Sequence, residues 1–397
     1  MNWNRVETLA HLIWRKPGRA RQTVIIPAIL LALVTATTLQ AQNWVLSSIY
    51  SNSGGEVGQI AMTTLKTGWV VTAVSTSTNN LEVISWNDTG TALARTGSAT
   101  GDVIFPLFGL AISTLDSGRV VTAAVNPTTG DMELTVWKIS SSGAVSKQSS
   151  VLGGIVSEVS IATLDSGRVV TAMQNSSGDL KLRVWKISST GAFTTEGTYT
   201  AGAASQIAIV GVNASQVVTA FRNGSEDLEL IAWSINGSGT VTRQGEAKGG
   251  AVAKVAISYW APGLVTAVET EKAELGFNTW SLDTSGNIIK TNSATGGEAF
   301  GVALCVFPTQ PGQTLPFTLA ENSSDDLSVA VWDYAPDEED IIYELASYTG
   351  TSYVAPQLAA ASEGPGRPYF IVTAVRNTSS DLRMKAWQLY QPTPARE

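Results

Sequence analysis

Seven tryptophans recur along this 397-residue chain at intervals of 47 to 55 residues. A threonine lies fourteen residues before six of them and fifteen residues before Trp137. A period near 50 residues is typical of propellers, solenoids and other repeat arrays. It therefore favours one large repeat domain over the two or three domains that the length alone suggests. The tryptophans are Trp86, Trp137, Trp185, Trp233, Trp280, Trp332 and Trp387, and the threonines are Thr72, Thr122, Thr171, Thr219, Thr266, Thr318 and Thr373.

Each repeat contains four short segments with the composition of strands. In the third repeat these are residues 159–163, 168–172, 180–185 and 193–199, with turn residues between them. Four-stranded units arranged around an axis predict an all-β fold, a seven-bladed β-propeller over residues 43–390. We expect the seven tryptophans to be structural residues of the third strands, wedged between blades, where burial of each contributes about 2–3 kcal/mol.

The last repeat is incomplete, and the start of the chain offers the missing part. After Trp387 only residues 388–390 and a Pro-rich tail, 391–397, remain, so the seventh blade lacks a fourth strand. Residues 44–50 form a strand-like segment before the first blade begins. We therefore predict that this N-terminal strand closes the ring, which would remove two exposed strand edges.

The first 42 residues differ from the rest in charge and hydropathy. Residues 1–22 are basic, and residues 23–42 form an uncharged, apolar segment. The segment fits a cleaved secretory peptide and is also long enough to be a single transmembrane or signal-anchor helix. If it is retained, the basic flank places the propeller on the periplasmic side of a bacterial inner membrane. If it is cleaved, the propeller is secreted.

Residues 43–397 carry a net charge of −12, because the first 42 residues carry +4 of the chain's total of −8. Such an acidic body argues against nucleic acid as a partner. The only histidine is His11, so the repeat domain has no Ser-His-Asp triad and no histidine-based metal site. The single cysteine, Cys305, lies in an apolar run and is interpreted as a buried hydrophobe. We predict no enzyme activity, no cofactor and no metal.

A polar or acidic residue precedes each periodic tryptophan by six positions. Such a ring of carboxylates is compatible with calcium or sugar binding, but Asp and Asn at these positions are also typical of turns between two strands. We favour the turn. The residues are Asn80, Asp131, Asp179, Asp227, Glu274, Asp326 and Asp381.

Three segments interrupt the period, and all three would lie on one side of the ring. They are a lengthened loop from residue 307 to 316, a second from 334 to 340, and a third from 362 to 368. Insertions on one face of a repeat array usually mark its binding face. The acidic run within the second loop suits a basic protein surface better than anionic lipid. The predicted partner-binding residues are Pro308, Gln310, Gln313, Asp337, Glu338, Glu339, Asp340, Gly364 and Arg367.

The Val-Val-Thr-Ala and Leu-x-Leu-x-Val-Trp signatures recur from residue 44 to 390, and the chain resembles seven-bladed β-propeller repeat proteins in architecture. The signatures match neither the Trp-Asp repeat nor the kelch pattern. Our first hypothesis is a non-catalytic, membrane-anchored extrinsic subunit that docks onto an integral membrane complex, for example a respiratory or photosynthetic one. The alternative is a secreted or surface glycan-binding propeller with Trp69 and Trp260 as exposed sugar platforms. A third is an enzyme that uses the mouth of the central channel.

Overall fold

The computed structural model describes residues 45–390 except 66–68, 90, 105–108, 262, 311–312, 336–340, 351–352 and 362–369. These residues belong to a unit of the chain that spans Trp44–Glu397. No helix among them is long and apolar enough to span a bilayer. The predicted anchor at 23–42, His11 and the tail 391–397 lie outside the described residues.

Twenty-four strands make up the described part of the chain, and each pairs with its neighbours in the antiparallel sense. They are β1 (Val45–Thr64), β2 (Trp69–Thr76), β3 (Asn80–Asp88), β4 (Leu93–Val103), β5 (Leu110–Asp116), β6 (Arg119–Val125), β7 (Asp131–Ile139), β8 (Val145–Asp165), β9 (Arg168–Asn175), β10 (Asp179–Ile187), β11 (Phe193–Asn213), β12 (Gln216–Asn223), β13 (Asp227–Ile235), β14 (Val241–Trp260), β15 (Gly263–Thr270), β16 (Glu274–Leu282), β17 (Ile288–Glu298), β18 (Gly301–Gln310), β19 (Gln313–Glu321), β20 (Leu327–Ala335), β21 (Ile341–Gly350), β22 (Tyr353–Ala361), β23 (Phe370–Asn377) and β24 (Asp381–Tyr390).

Within the described ranges the strand pairing defines seven four-stranded sheets, which we number units 1 to 7 in chain order. Unit 1 contains the second half of β1 with β2, β3 and β4, and unit 2 contains β5, β6, β7 and the first half of β8. Units 3, 4 and 5 continue the pattern through β17, and unit 6 is β18 to β21. Unit 7 is β22, β23 and β24 with the first half of β1.

Four strands are twice the expected length because each belongs to two units. In β8, residues up to Ile155 pair with β7 of unit 2, and residues from Val156 pair with β9 of unit 3. Gly154 lies at this change of partner with a φ of +86°, a conformation that costs glycine little. The sequence predicted separate strands here. The glycine instead lets one strand pass from the outer edge of one sheet to the inner edge of the next.

The first strands of the units contact one another in a closed cycle: β1, β5, β8, β11, β14, β18, β22 and again β1. The start of β1 completes unit 7, because Val45 pairs with Tyr390 and the pairing continues to Glu56 opposite Asp381. The predicted closing strand is therefore confirmed, and it extends beyond residue 50. The first and last residues of the described chain lie side by side.

The seven periodic tryptophans form the core between the units, as predicted. Each lies in the third strand of its unit and is at most 2% exposed. Trp137 of unit 2 packs against Leu81 and Val83 of unit 1, and Trp86 packs against Met384 of unit 7. The other five pack on the preceding unit in the same way. These contacts make each unit depend on its neighbour for a buried face.

The periodic threonines are the hydrogen-bond partners of the tryptophans. In every unit the indole Nε1–H donates to the threonine Oγ1 on the second strand, at 2.8 to 3.1 Å. All seven threonines are fully buried. Buried polar groups need such partners, and this explains the spacing of fourteen residues. In unit 2 the extra residue lies in the hairpin between Val125 and Met132, so the bond to Thr122 is kept.

The hairpins between second and third strands confirm the turn interpretation of the residues six before each tryptophan, with one correction. The side chain that bonds the backbone is an earlier residue: Asn175, Asn223, Asn322 and Asn377 each accept from the backbone N–H four residues on. The residue just before each predicted turn residue has positive φ. These residues are Asn79, Gly130, Gly178, Glu226, Ala273, Asp325 and Ser380.

Candidate functional site

The two faces of the ring differ in which connections they carry. We call "terminal face" the side where first strands connect to second strands and third strands to fourth strands, because Val45 and Tyr390 also lie there. The opposite side, the "crossover face", carries the hairpins between second and third strands and the passages from unit to unit. In unit 6 both β18 and β20 end at the terminal face, so the two connections that follow them share it.

Three of the predicted docking residues lie in strands and not in a loop. Pro308 pairs with Thr314, and Gln310 pairs with Gln313, so the prediction of a lengthened loop from residue 307 to 316 is wrong. The insertion instead lengthens the hairpin of β18 and β19. The physical reason is that Phe307 and Leu315 are buried in the core between units 6 and 7, which holds the base of the hairpin in register.

The other predicted docking residues lie outside the described residues. They are Asp337, Glu338, Glu339, Asp340, Gly364 and Arg367. Tyr334 and Ala335, which we assigned to the second loop, belong to β20 and pair with Ile342 and Ile341.

The terminal face also carries a feature that we did not identify in the sequence. Arg119, at the start of β6, forms an ion pair with Asp116 at 2.7 Å and donates to the carbonyl oxygens of Ser188 and Ser166 in unit 3. Its side chain is only 14% exposed. The guanidinium therefore joins the first-to-second connection of unit 2 to both connections of unit 3 on this face.

The same arrangement recurs one unit later. Arg168 forms an ion pair with Asp165 at 2.8 Å and donates to the carbonyl oxygens of Asn236 and Ala214 in unit 4. We call these two arrangements the arginine clamps. The sequence signal was the repeated run Leu-Asp-Ser-Gly-Arg at 115–119 and 164–168, which could have indicated a shared structural role.

Between units 1 and 2 the position of the clamp arginine is occupied by Trp69. Trp69 starts β2 and pairs with Asn87, just as Arg119 starts β6 and pairs with Lys138. A cleft of about 360 Å³ opens here, and we call it the Trp69 cleft. It is lined by Leu65, Trp69, Ser117, Gly118, Ile139, Ser140 and Ser141.

The two predicted sugar platforms are less exposed than the sequence suggested. Trp69 and Trp260 are both partly buried. The indole N–H of Trp260 donates to the carbonyl of Thr314 in unit 6 at 3.0 Å, which gives this ring a structural role between units.

On the crossover face a smaller cleft of about 240 Å³ lies between Gly202 and the sheet of unit 4, beside Glu229 and Arg243. Nearby, the carboxylate of Glu158 accepts hydrogen bonds from the backbone N–H groups of Gln206 and Ile207, at 2.8 and 2.7 Å. Burial raises the pKa of this carboxyl, although the two hydrogen bonds oppose the shift. Glu158 thus ties the first strands of units 3 and 4 together.

Potential metal ligands are not grouped in the described ranges. No group of three or more His, Cys, Asp or Glu side chains is placed there to hold a metal ion. Cys305 is buried, as the sequence indicated, and burial raises the pKa of its thiol. A thiol in that state is a poor nucleophile.

No protein-family model matches the chain, and no curated protein matches its sequence. Among solved structures it is similar to the WD40 domain of coronin from Toxoplasma gondii, with 9% sequence identity and a TM-score of 0.56. The match covers 90% of this chain and 88% of the coronin domain. At that identity the likeness shows the fold alone. The chain is a β-propeller repeat protein.

Proposed function

We propose that the chain is a seven-bladed β-propeller, anchored in a bacterial inner membrane by residues 23–42, that acts on the periplasmic side as a non-catalytic docking subunit of an integral membrane complex. The seven units would be the seven blades. The terminal face would be the docking surface, and units 6 and 7 would carry its main contacts.

The observation that carries this proposal is the coincidence of the chain ends with the irregular hairpin on one face. Val45 and Tyr390 pair at the terminal face, and the hairpin of β18 and β19 extends there to the pair Gln310 and Gln313. Because β1 starts within three residues of position 42, a membrane segment at 23–42 would keep the start of β1 close to the bilayer. A protein held in this way could contact only partners close to the bilayer, so a partner in the same membrane is favoured.

Charge supports a protein partner over lipid. The body is acidic, and the run at 337–340 adds four carboxylates next to the end of β20. Anionic headgroups would repel it, whereas a basic protein surface would attract it and speed association.

The test is native co-purification of the full-length protein from membranes, with cross-linking and mass spectrometry to identify neighbours. Deleting residues 308–316 is unsuitable, because it would remove the buried Leu315. A better variant combines Gln310→Ala and Gln313→Ala with neutralisation of residues 337–340 to Asn and Gln. A matched control neutralises Glu226, Glu271, Glu274 and Glu298 on the crossover face to Gln.

We expect the first variant to lose its membrane-complex neighbours while both variants keep the melting temperature of the wild type within a few degrees. Retention of the same neighbours by the first variant, or equal loss from the control, would overturn the docking function of units 6 and 7. A native protein that lacks residues 1–41 would overturn the anchor.

The glycan-binding and enzymatic alternatives stay predictions, and no contact in the described residues favours them over docking. A glycan array probed with the purified propeller tests the first. A substrate-class activity screen tests the second.

A further inference from the structure

The Trp69 cleft lies where the interface between units 1 and 2 lacks the guanidinium that fills the next two interfaces. At the next two interfaces a guanidinium from Arg119 or Arg168 lies there and is nearly buried. Between units 1 and 2 the clamp position is Trp69, and about 360 Å³ of space remains.

The carbonyl oxygens that bind the guanidinium elsewhere have counterparts at this cleft. Arg119 donates to Ser188 at the start of one turn and to Ser166 within another. The equivalent residues of unit 2 are Ser140 and Ser117, because Ser140 accepts from Gly143 just as Ser188 accepts from Gly191. Both Ser117 and Ser140 line the cleft.

Trp69 gives the cleft an aromatic wall where the next two interfaces have a guanidinium. Its ring lies close to Gly143, where an added Cβ would come within 2.8 Å of the ring. Cations bind favourably over the face of an indole, and arginine does so often. The remaining lining is the apolar pair Leu65 and Ile139 with serine and glycine residues, which suits the methylene stem of an arginine side chain.

We propose that the Trp69 cleft binds the guanidinium group of an arginine side chain presented by a partner protein. The guanidinium would donate to the carbonyl oxygens of Ser117 and Ser140 and lie against the ring of Trp69, in the place that Arg119 and Arg168 occupy in the next two interfaces. Arginine is favoured over lysine because its planar fork matches two acceptors at once. The net charge of −12 on residues 43–397 attracts a basic partner surface.

This inference deepens the proposed docking function, because the cleft lies on the terminal face. It rests on that function only in assigning the arginine to a docked partner. One element of the clamp is missing: Lys66 stands in the sequence where units 2 and 3 have Asp116 and Asp165. Without that carboxylate we expect an isolated arginine to bind weakly, with a dissociation constant of about 1 mM, and a docked partner to gain specificity from it.

The experiment titrates the full-length protein with N-acetyl-arginine methylamide and follows binding by calorimetry or NMR. The matched probe is N-acetyl-citrulline methylamide, which has the same shape without the charge. We expect the arginine probe to bind once and the citrulline probe to bind at least about tenfold more weakly. N-acetyl-lysine methylamide measures the preference for a planar group.

Three variants locate the site. Trp69→Arg supplies an internal guanidinium and should abolish binding, and Trp69→Ala should weaken it severalfold. Arg119→Ala opens the equivalent space between units 2 and 3, where Asp116 remains, and should add a second binding site.

Equal binding of the arginine and citrulline probes, or arginine binding that Trp69→Arg leaves intact, would overturn the proposal. So would binding that appears only after residues 391–397 are removed, because the chain's own tail would then be the occupant. A sugar that binds at Trp69 while arginine does not would also overturn it. Loss of arginine binding in Trp69→Arg with native co-purification unchanged would separate the cleft from the docking function of units 6 and 7.

Discussion

The buried layer of threonines and tryptophans is the same in all seven units. The residues that start the second strands on the terminal face, which we call the rim, differ between units 1 to 5. In the buried layer all seven units place the same pair at the same depth, with Nε1 to Oγ1 distances that differ by only 0.3 Å. At the rim, the position that holds Arg119 and Arg168 in units 2 and 3 holds Trp69, Gln216 and Gly263 in units 1, 4 and 5.

The difference shows where this ring tolerates change. Close packing allows few substitutions between units, because each tryptophan fills a space shaped by the preceding sheet. The rim positions carry no such shared pair, so the side chain there differs from unit to unit. Under the proposal that the Trp69 cleft binds an arginine, Trp69 is the difference that serves recognition.

The largest expected effect comes from removing a tryptophan of the buried layer, and Trp69 is its counterpart at the rim. We expect Trp233→Ala to lower the free energy of unfolding by about 3–5 kcal/mol, because it leaves a cavity between units 3 and 4. Trp86→Ala should cost a similar amount, whereas Trp69→Ala should cost clearly less because Trp69 is partly exposed. Urea unfolding followed by circular dichroism measures all three. Equal losses at Trp233 and Trp69 would contradict the distinction between core and rim.

The second prediction concerns the hydrogen bond of the buried layer. Thr219→Val keeps the shape of the side chain but leaves the Trp233 indole N–H without its partner. We expect a loss of about 1–3 kcal/mol. Thr219→Ser is the matched control, because it keeps the hydroxyl, and it should be the more stable of the two. A Val variant as stable as the Ser variant would show that the bond adds nothing to stability.

The third prediction tests the arginine clamps. Arg168→Ala removes an ion pair and two bonds to carbonyl oxygens of unit 4 from a side chain that is 16% exposed, and we expect a loss of about 1–3 kcal/mol. Arg243→Ala is the control, because Arg243 is 36% exposed and should contribute under about 1 kcal/mol. Urea unfolding of the two variants measures both losses. A larger loss of unfolding free energy in Arg243→Ala than in Arg168→Ala would argue against the clamp.

The smallest effect is expected at a hairpin of the crossover face. Ala273 has a φ of +55°, which an alanine adopts at a cost and a glycine adopts freely. Ala273→Gly should therefore raise the free energy of unfolding by about 0.5–1 kcal/mol, after the greater chain entropy of glycine is counted. Gly178→Ala, the reverse change at the equivalent position with a φ of +83°, should lower it. Thermal unfolding of both variants checks these signs, and a destabilised Ala273→Gly together with a stabilised Gly178→Ala would refute the turn geometry.

Much of the fold could be predicted because the repeat makes its local signals redundant. The strands of the third repeat, the buried tryptophans and the closing strand all followed from spacing and alternation. The candidate site was harder to predict from the sequence. Pro308 and Gln310 were assigned to a loop, because residues 307–316 interrupt the repeat period, yet Phe307 and Leu315 hold them in a paired hairpin. The clamps were missed because Arg168 and its acceptor Asn236 are 68 residues apart.

The amino-acid sequence alone was enough to predict the number of repeats, the residue types of the buried layer and the pairing of the chain ends, because these depend on periodic patterns that any packed array must satisfy. The folded chain was needed to show which carbonyl oxygens each guanidinium contacts, how far the hairpin of unit 6 extends and where a cleft remains beside Trp69. Those features depend on contacts between neighbouring units that are far apart in the chain, so a local pattern such as the Leu-Asp-Ser-Gly-Arg run marks a position but not its partners.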